Sequence, residues 1–131
     1  MPNTKDTLYR EELMDIYKNN KSKGKLTCPT VEVYEKNPMC GDEITLQLEI
    51  KDGIVKDAKF DGPACAVSVI SSNYLIQNLI GKTLGDAKNM TKDQLLDLIG
   101  IPLTTSRVKC ATLILEAFNH AIKKYEETKN N

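Results

Sequence analysis

The sequence predicts an α+β fold in which a three-stranded antiparallel sheet packs against a layer of helices. Residues 44–51 alternate strictly between apolar and polar side chains, which is typical of a strand with one buried face. Asp52-Gly53 follows directly, and this dipeptide favours a two-residue hairpin because glycine tolerates positive φ. Several later segments carry apolar residues at helical spacing, so helices can cover one side of the sheet.

The first helix is expected over residues 7–18. One face of this segment carries the apolar residues Tyr9, Leu13, Ile16 and Tyr17. Residues 18–25 are rich in lysine and have no periodicity, so we interpret them as a solvated loop, with docking of an acidic partner as the alternative. A short first strand then contains Val31, Val33 and Tyr34 and ends at the turn Asn37-Pro38.

The second strand is the clearest element of the chain. Its inward side chains are Ile44, Leu46, Leu48 and Ile50. After the hairpin, a third strand is expected from Ile54 to Phe60, with Ala58 and Phe60 on the same inward face. Strands joined in this order form a meander, whose apolar side needs cover.

A second helix is expected from Ala66 to Ile80, after a tight turn, so that Cys65 lies at a helix N-terminus and Gly81 ends the helix. Its periodic residues are Val69, Ile70, Asn73, Tyr74, Gln77 and Ile80. Thr91 and Gln94 have the spacing of a capping box before a short helix that Gly100 and Pro102 end.

The last helix begins near Ser106 and places Cys110 in or near its first turn. Its predicted buried stripe is Ala111, Leu115, Phe118 and Ile122.

Length and charge restrict the possible functions. The 131 residues predict one domain, 1–131, with a core large enough to fold without disulfides. Eighteen basic and eighteen acidic residues cancel, which argues against a nucleic-acid partner. The polar N-terminus and the shortness of every apolar run predict a cytoplasmic protein with no membrane association.

The cysteines at the predicted turns and helix starts are candidates for chemistry. Cys40 follows the first strand, and Cys65 and Cys110 lie near helix starts, where the helix dipole favours a thiolate over a thiol. A thiolate binds metal or accepts sulfur. The spacings of 25 and 45 residues exclude a local zinc knuckle, so any shared site must be assembled by the fold. From spacing alone, the same cysteines are equally consistent with small buried residues.

Three motifs resemble those of the IscU/SufU family of iron-sulfur scaffold proteins, which includes NifU N-terminal-like domains. They are Asn37-Pro38-Met39-Cys40-Gly41-Asp42, the segment from Asp57 to Ser68 around Cys65, and Arg107-Val108-Lys109-Cys110-Ala111. Residues 9–24 resemble the opening helix and loop of that family, so the likeness spans most of the chain. It implies a SufE/IscU-like fold, cytoplasmic iron-sulfur biogenesis, and a cysteine desulfurase as the partner that delivers persulfide sulfur.

The resemblance also implies roles for individual residues. Cys40, Cys65 and Cys110 would be the ligands of a transient [2Fe-2S] cluster, or of zinc in its place, and the candidate acceptors of persulfide sulfur. Asp42 would be the carboxylate ligand beside them. A scaffold of this kind would pass its cluster to apo iron-sulfur acceptor proteins, and we expect a monomer or a weak homo-oligomer.

The chain departs from both branches of the family. Isc members have a histidine immediately before the third cysteine, whereas this chain has Lys109, as Suf members do. Suf members carry an insertion between the second and third cysteines that this chain lacks. Only Val108-Lys109 remains of the chaperone-recognition motif of the Isc branch. We therefore interpret the chain as a scaffold of Isc-like length with a Suf-like site.

Three functions remain open. A [2Fe-2S] scaffold is favoured over a turnover enzyme, a zinc-dependent sulfurtransferase is the alternative, and a structural zinc domain is the least favoured. Lys109 favours the sulfurtransferase, whereas the missing insertion favours the scaffold. Lys109 is either simply exposed or stabilises neighbouring thiolates, and Arg107 is expected to cap a helix or to pair with Asp42.

Other polar residues are given no chemical role. Cys28 lies outside the three motifs and is interpreted as incidental. His120 would lie about 15 Å along the last helix from Cys110 and is interpreted as structural or solvated. No base is evident beside the serines Ser68, Ser71 and Ser72.

Overall fold

A three-stranded antiparallel sheet and a layer of helices form the part of the chain that this computed structural model describes, residues 11, 13–18, 21–37, 41–100 and 103–129. The strands β1 (Val31–Asn37), β2 (Asp42–Lys51) and β3 (Ile54–Asp61) are adjacent in chain order. The helices are α1 (residues 13–18), α2 (Ala66–Leu79), the single turn α3 (Leu84–Ala87), α4 (Lys92–Ile99) and α5 (Thr105–Lys129). The α+β class predicted from the sequence is confirmed.

The sheet buries the face that its alternating pattern predicts. The inward side chains of the three strands are Val31, Val33, Ile44, Leu46, Leu48, Ile50, Ala58 and Phe60, all buried. Asp52 and Gly53 both have positive φ, +54° and +74°, as a tight hairpin of this type requires. Helices α2 and α5 cover the buried face, and the predicted stripe of α5 is buried throughout.

The buried face of α2 differs from the predicted one. Gln77 and Ile80 are exposed, whereas Ser68, Ser71 and Ser72 are completely buried. The small serine side chains allow α2 to approach α5, and the Ser71 hydroxyl donates a hydrogen bond to the backbone carbonyl of Ala111 on α5. Apolar periodicity missed this face because it scores hydroxyl groups as polar regardless of the bonds that they make across a helix interface.

The predicted helix boundaries agree with the structure in most places. Gly81, with φ +91°, follows the C-cap of α2; Thr91 and Gln94 form the capping box of α4; and Gly100 ends α4 in the left-handed conformation. The turn α3 was not predicted, because four residues are too few to show a periodic pattern. The prediction for Pro102 lies outside the described residues.

The N-terminal part of the described chain corrects two expectations. Leu13 of α1 is buried as predicted, but Tyr17 is 43% exposed and does not belong to the buried face; Tyr9 lies outside the described residues. The segment interpreted as a solvated loop partly pairs with the sheet, since Phe60 donates to the Ser22 carbonyl and accepts from the Gly24 N–H. Among the helices described here, none has the length and apolarity needed to cross a membrane.

Candidate metal centre

Asp42 begins β2 and points its carboxylate into the fold. It pairs across the sheet with Asn37, the last residue of β1, and it is only 3% exposed. Gly41, with φ +74°, closes the turn by donating its N–H to the Asn37 carbonyl at 2.8 Å. A carboxylate is costly to bury unless hydrogen bonds replace its water. The partners of Asp42 are therefore central to the site.

Cys65 supplies two of these partners. It is the N-cap of α2, and its own side chain caps nothing there. Instead, its backbone N–H donates to Oδ1 of Asp42 at 2.8 Å, and its thiol donates to Oδ2 at 3.2 Å. The predicted position of Cys65 at a helix N-terminus is confirmed. The thiol is partly buried, and the carboxylate lies at the positive end of the helix.

The turn that carries Cys65 is held close to β2. Glu43, the residue after Asp42, donates its N–H to the Pro63 carbonyl at 2.8 Å. Gly62 has φ +121°, and a Cβ atom at this position would lie 2.4 Å from the carbonyl oxygen of Glu43. Only glycine permits this approach, which brings the start of α2 to the start of β2.

Cys110 lies near the first turn of its helix, as the sequence predicts, but not within it. Because α5 begins at Thr105, Cys110 is the sixth residue of the helix and belongs to its second turn. It is 1% exposed. Cys110 therefore lies beyond the N–H groups that have no partner within the helix.

The side chains of Asp42, Cys65 and Cys110 converge. One ligand atom each from Asp42, Cys65 and Cys110 lies within 4.8 Å of the others. Two ligands at roughly 2.3 Å from a tetrahedral ion are about 3.8 Å apart, so a shift of about 1 Å would complete the arrangement. Two sulfur atoms and one carboxylate oxygen are donors that both zinc and iron accept. Cys40 lies outside the described residues, so its part in the site stays a prediction.

Ser68 is the residue of this site that sequence reasoning missed. Its hydroxyl is completely buried and lies 2.6 Å from Oδ2 of Asp42, 2.9 Å from the Cys110 carbonyl oxygen and 3.8 Å from Sγ of Cys65. The available signal was its spacing, since a residue three positions after a helix N-cap lies above that cap. The sequence gives Ser68 no catalytic role, because no base is evident beside it, whereas the structure shows its hydroxyl in contact with a ligand residue.

The remaining candidates lie apart from this cluster. Cys28 is exposed and is not a member of the group of ligand atoms that the described residues form. His120 is exposed, with Nδ1 2.6 Å from Oε1 of Glu35, which agrees with a structural or solvated role. Lys109 and Arg107 are exposed. An effect of Lys109 on the thiols and a pairing of Arg107 with Asp42 stay predictions.

The chain is similar to a known protein family and to named relatives in it. The family model described as "NifU-like N terminal domain" matches residues 8–131. The zinc-dependent sulfurtransferase SufU of Bacillus subtilis is 36% identical over 138 aligned positions, which cover 92% of this chain and 93% of the relative. The iron-sulfur cluster assembly scaffold protein IscU of Thermotoga maritima is 35% identical over 133 positions, which cover 89% and 94%. Both alignments have more positions than the 131 residues of the chain, so each relative has residues that this chain lacks.

A solved structure has the same fold. It is described as a putative iron-sulfur cluster assembly scaffold protein for the SUF system from Fervidobacterium islandicum. It is 29% identical to this chain and superposes with a TM-score of 0.73, over 88% of this chain and 96% of that one.

Proposed function

Because the chain belongs to the family of NifU-like N-terminal domains, we propose that it is a scaffold on which iron-sulfur clusters are assembled. The observation that carries this proposal is the meeting of Asp42, Cys65 and Cys110 ligand atoms within 4.8 Å. A scaffold needs ligands from separate elements gathered on one centre, and β2, α2 and α5 each contribute one here. The relative from Thermotoga maritima, named as such a scaffold, supports the proposal.

The cluster is the cargo of this protein. A [2Fe-2S] unit has four outer ligand positions, which Cys40, Cys65, Cys110 and Asp42 would fill. Sulfur would arrive as the persulfide of a cysteine desulfurase. A cysteine thiolate of the scaffold attacks the outer sulfur, the sulfur-sulfur bond breaks, and the desulfurase thiolate leaves. Reducing two transferred sulfurs to sulfide takes four electrons: the two ferrous ions supply two as they become the ferric ions of the [2Fe-2S] cluster, and an external thiol or an electron-transfer protein supplies the other two.

The combination of thiolate and carboxylate ligands suits a cluster that is transferred to an acceptor protein. Iron-sulfur clusters prefer soft thiolate ligands, so the carboxylate of Asp42 is the weakest of the four bonds. An incoming thiolate from an apo acceptor protein would displace it first. The other ligands would hold the cluster until that exchange has begun.

A zinc-dependent sulfurtransferase is the second candidate. The relative from Bacillus subtilis carries that name, and the donor set of two thiols and a carboxylate fits zinc equally well. Zinc, when bound, would keep the thiols deprotonated at neutral pH. Chain length does not separate the two functions, because relatives with either name have residues that this chain lacks.

The test is anaerobic reconstitution with ferrous iron, L-cysteine, a cysteine desulfurase and a thiol reductant, followed by visible absorption. The wild-type chain is expected to form a [2Fe-2S] chromophore, and Cys110→Ser is expected not to. Cys28→Ser is the matched control, since this exposed thiol lies outside the cluster of ligand atoms, and it should behave as the wild type.

Zinc analysis of the purified chain completes the test. One tightly held zinc per chain, with persulfide acceptance but no chromophore, would select the sulfurtransferase. Binding of neither metal nor sulfur would contradict both functions.

A further inference from the structure

The hydroxyl of Ser68 connects all three described ligand residues. It is within hydrogen-bond reach of Oδ2 of Asp42 at 2.6 Å and of the Cys110 backbone carbonyl at 2.9 Å, and the Cys65 thiol approaches it at 3.8 Å. Ser68 is completely buried, so water does not compete for these contacts. The ligands themselves come from β2, the start of α2 and α5.

One hydroxyl has a single proton to donate. Its two acceptors are a carboxylate oxygen of Asp42 and a neutral carbonyl of Cys110, and hydrogen bonds to an ionised acceptor are shorter and stronger. The distances in the structure agree, since the carboxylate oxygen is the nearer of the two acceptors. Ser68 therefore donates mainly to Asp42 and remains beside the backbone of Cys110.

Metal binding makes the hydrogen bond from Ser68 to Asp42 more important. The Cys65 thiol also donates to Oδ2 of Asp42, but a cysteine that binds a metal loses its proton, and that hydrogen bond is lost with it. The Ser68 hydroxyl keeps its proton under the same conditions. It continues to hold Oδ2 while the Cys65 backbone N–H holds Oδ1.

We infer that Ser68 is a positioning residue that orients the Asp42 carboxylate for metal binding and fixes it relative to Cys110. Hydrogen bonds that orient metal ligands typically change metal affinity about 10–100-fold when they are removed. This inference rests on the proposed metal-binding role of Asp42, Cys65 and Cys110.

Ser71 provides a matched control on the same helix. It is also completely buried, and its hydroxyl donates to the carbonyl of Ala111, the residue that follows Cys110 on α5. Ser68→Ala and Ser71→Ala thus each remove one hydroxyl contact between α2 and α5. Of the two hydroxyls, that of Ser68 also contacts the side chain of a ligand residue, Asp42, so the difference between the two variants measures positioning rather than helix packing.

The experiment measures zinc affinity of the metal-free chain by competition with a chromophoric chelator. Ser68→Ala should bind zinc about 10–100-fold more weakly than the wild type, whereas Ser71→Ala should stay within about threefold. The gap in melting temperature between the zinc-loaded and chelated forms should shrink in Ser68→Ala alone, because loss of packing affects both forms equally.

Two further variants test whether Ser68 changes zinc affinity through Asp42. In an Asp42→Ala background, Ser68→Ala should change zinc affinity less than about threefold, because the group it positions is gone. Ser68→Thr keeps the hydroxyl and should keep the affinity, which provides the test if Ser68→Ala does not fold.

The inference would be overturned by equal zinc affinities of Ser68→Ala and Ser71→Ala. It would also be overturned if Ser68→Ala weakened zinc binding as much in the Asp42→Ala background as in the wild type, or if folded Ser68→Thr bound zinc tenfold more weakly. In each of these cases the wild type still binds zinc, and the metal site itself stands. A wild-type chain that binds neither zinc nor a cluster would instead overturn the proposed function, and this inference with it.

Discussion

The backbone N–H of Cys65 donates to Oδ1 of Asp42 at 2.8 Å, so a carboxylate from β2 caps the first turn of α2. This bond has two consequences. It satisfies one of the unpaired N–H groups of the helix, which stabilises the fold. It also places a carboxylate and a thiol side by side without any metal. The same contact therefore contributes to stability and to the ligand geometry.

Asp42→Ala is expected to lower the free energy of unfolding of the metal-free protein by about 1–2 kcal/mol, because the cap of α2 is lost. Asp42→Asn keeps an acceptor oxygen for the Cys65 N–H, so its free energy of unfolding should fall by less. Urea denaturation in the presence of a chelator measures both. Equal losses for the two variants would show that the capping bond is not the source of the stability.

Gly62→Ala is expected to lower the free energy of unfolding by about 3 kcal/mol, since a Cβ would lie 2.4 Å from the Glu43 carbonyl oxygen and φ is +121°. Gly53→Ala is the control, because it also has a positive φ, +74°, but nothing lies within 4 Å of its Cβ position. The free energy of unfolding of Gly53→Ala should fall by only about 1 kcal/mol. Similar losses at the two positions would contradict the importance of the close approach at Gly62.

Ser72→Ala should leave the free energy of unfolding unchanged or raise it. Its hydroxyl is completely buried and, within the described part of the chain, has no hydrogen-bond partner. Burial of an unsatisfied hydroxyl opposes folding, and alanine removes that cost. Ser71→Ala loses a bond to Ala111 and should cost about 1 kcal/mol. Urea denaturation of the two variants side by side checks this contrast, and a larger loss in Ser72→Ala would contradict it.

The sheet could be predicted because each of its signals is local. Alternation over β2 and the Asp52-Gly53 turn determine the buried face and the reversal within ten or so residues. The buried face of α2 could not be predicted in the same way. Ser68 and Ser71 can be buried because their hydroxyls reach Asp42 and Ala111, which lie 26 and 40 positions away in the chain.

In the candidate site, too, some features could be predicted from the sequence and others depend on distant parts of the chain. Motif order pointed to Asp42, Cys65 and Cys110, and the structure brings their ligand atoms together. The role of Ser68 could not be predicted, because its partners lie on β2 and α5 and its local spacing shows only that it lies above Cys65. The start of α5 is predicted near Ser106, within one residue of the observed Thr105, and from either start Cys110 already lies in the second turn.

Removal of metal is expected to lower the melting temperature of the protein. A site absent from the unfolded chain adds its binding free energy to folding stability. Thermal unfolding of the zinc-loaded chain, before and after chelation verified by metal analysis, measures the shift. Cys28→Ser should show the wild-type shift, and Cys110→Ser a smaller one. An unchanged melting curve after verified metal removal would indicate a core that does not depend on metal.

Asp42→Ala is expected to slow the transfer of an assembled cluster to an apo-ferredoxin while Cys40, Cys65 and Cys110 still allow assembly. In the wild type the carboxylate occupies the fourth ligand position with the weakest bond, so an acceptor thiolate can displace it. Without the carboxylate, thiol from the reconstitution buffer takes that position and holds it more firmly. Cluster lifetime is followed by visible absorption with and without the acceptor. Glu49→Ala removes an exposed carboxylate from the same strand and should transfer at the wild-type rate. If Asp42→Ala transferred its cluster as fast as Glu49→Ala, Asp42 would be a helix cap without a part in release.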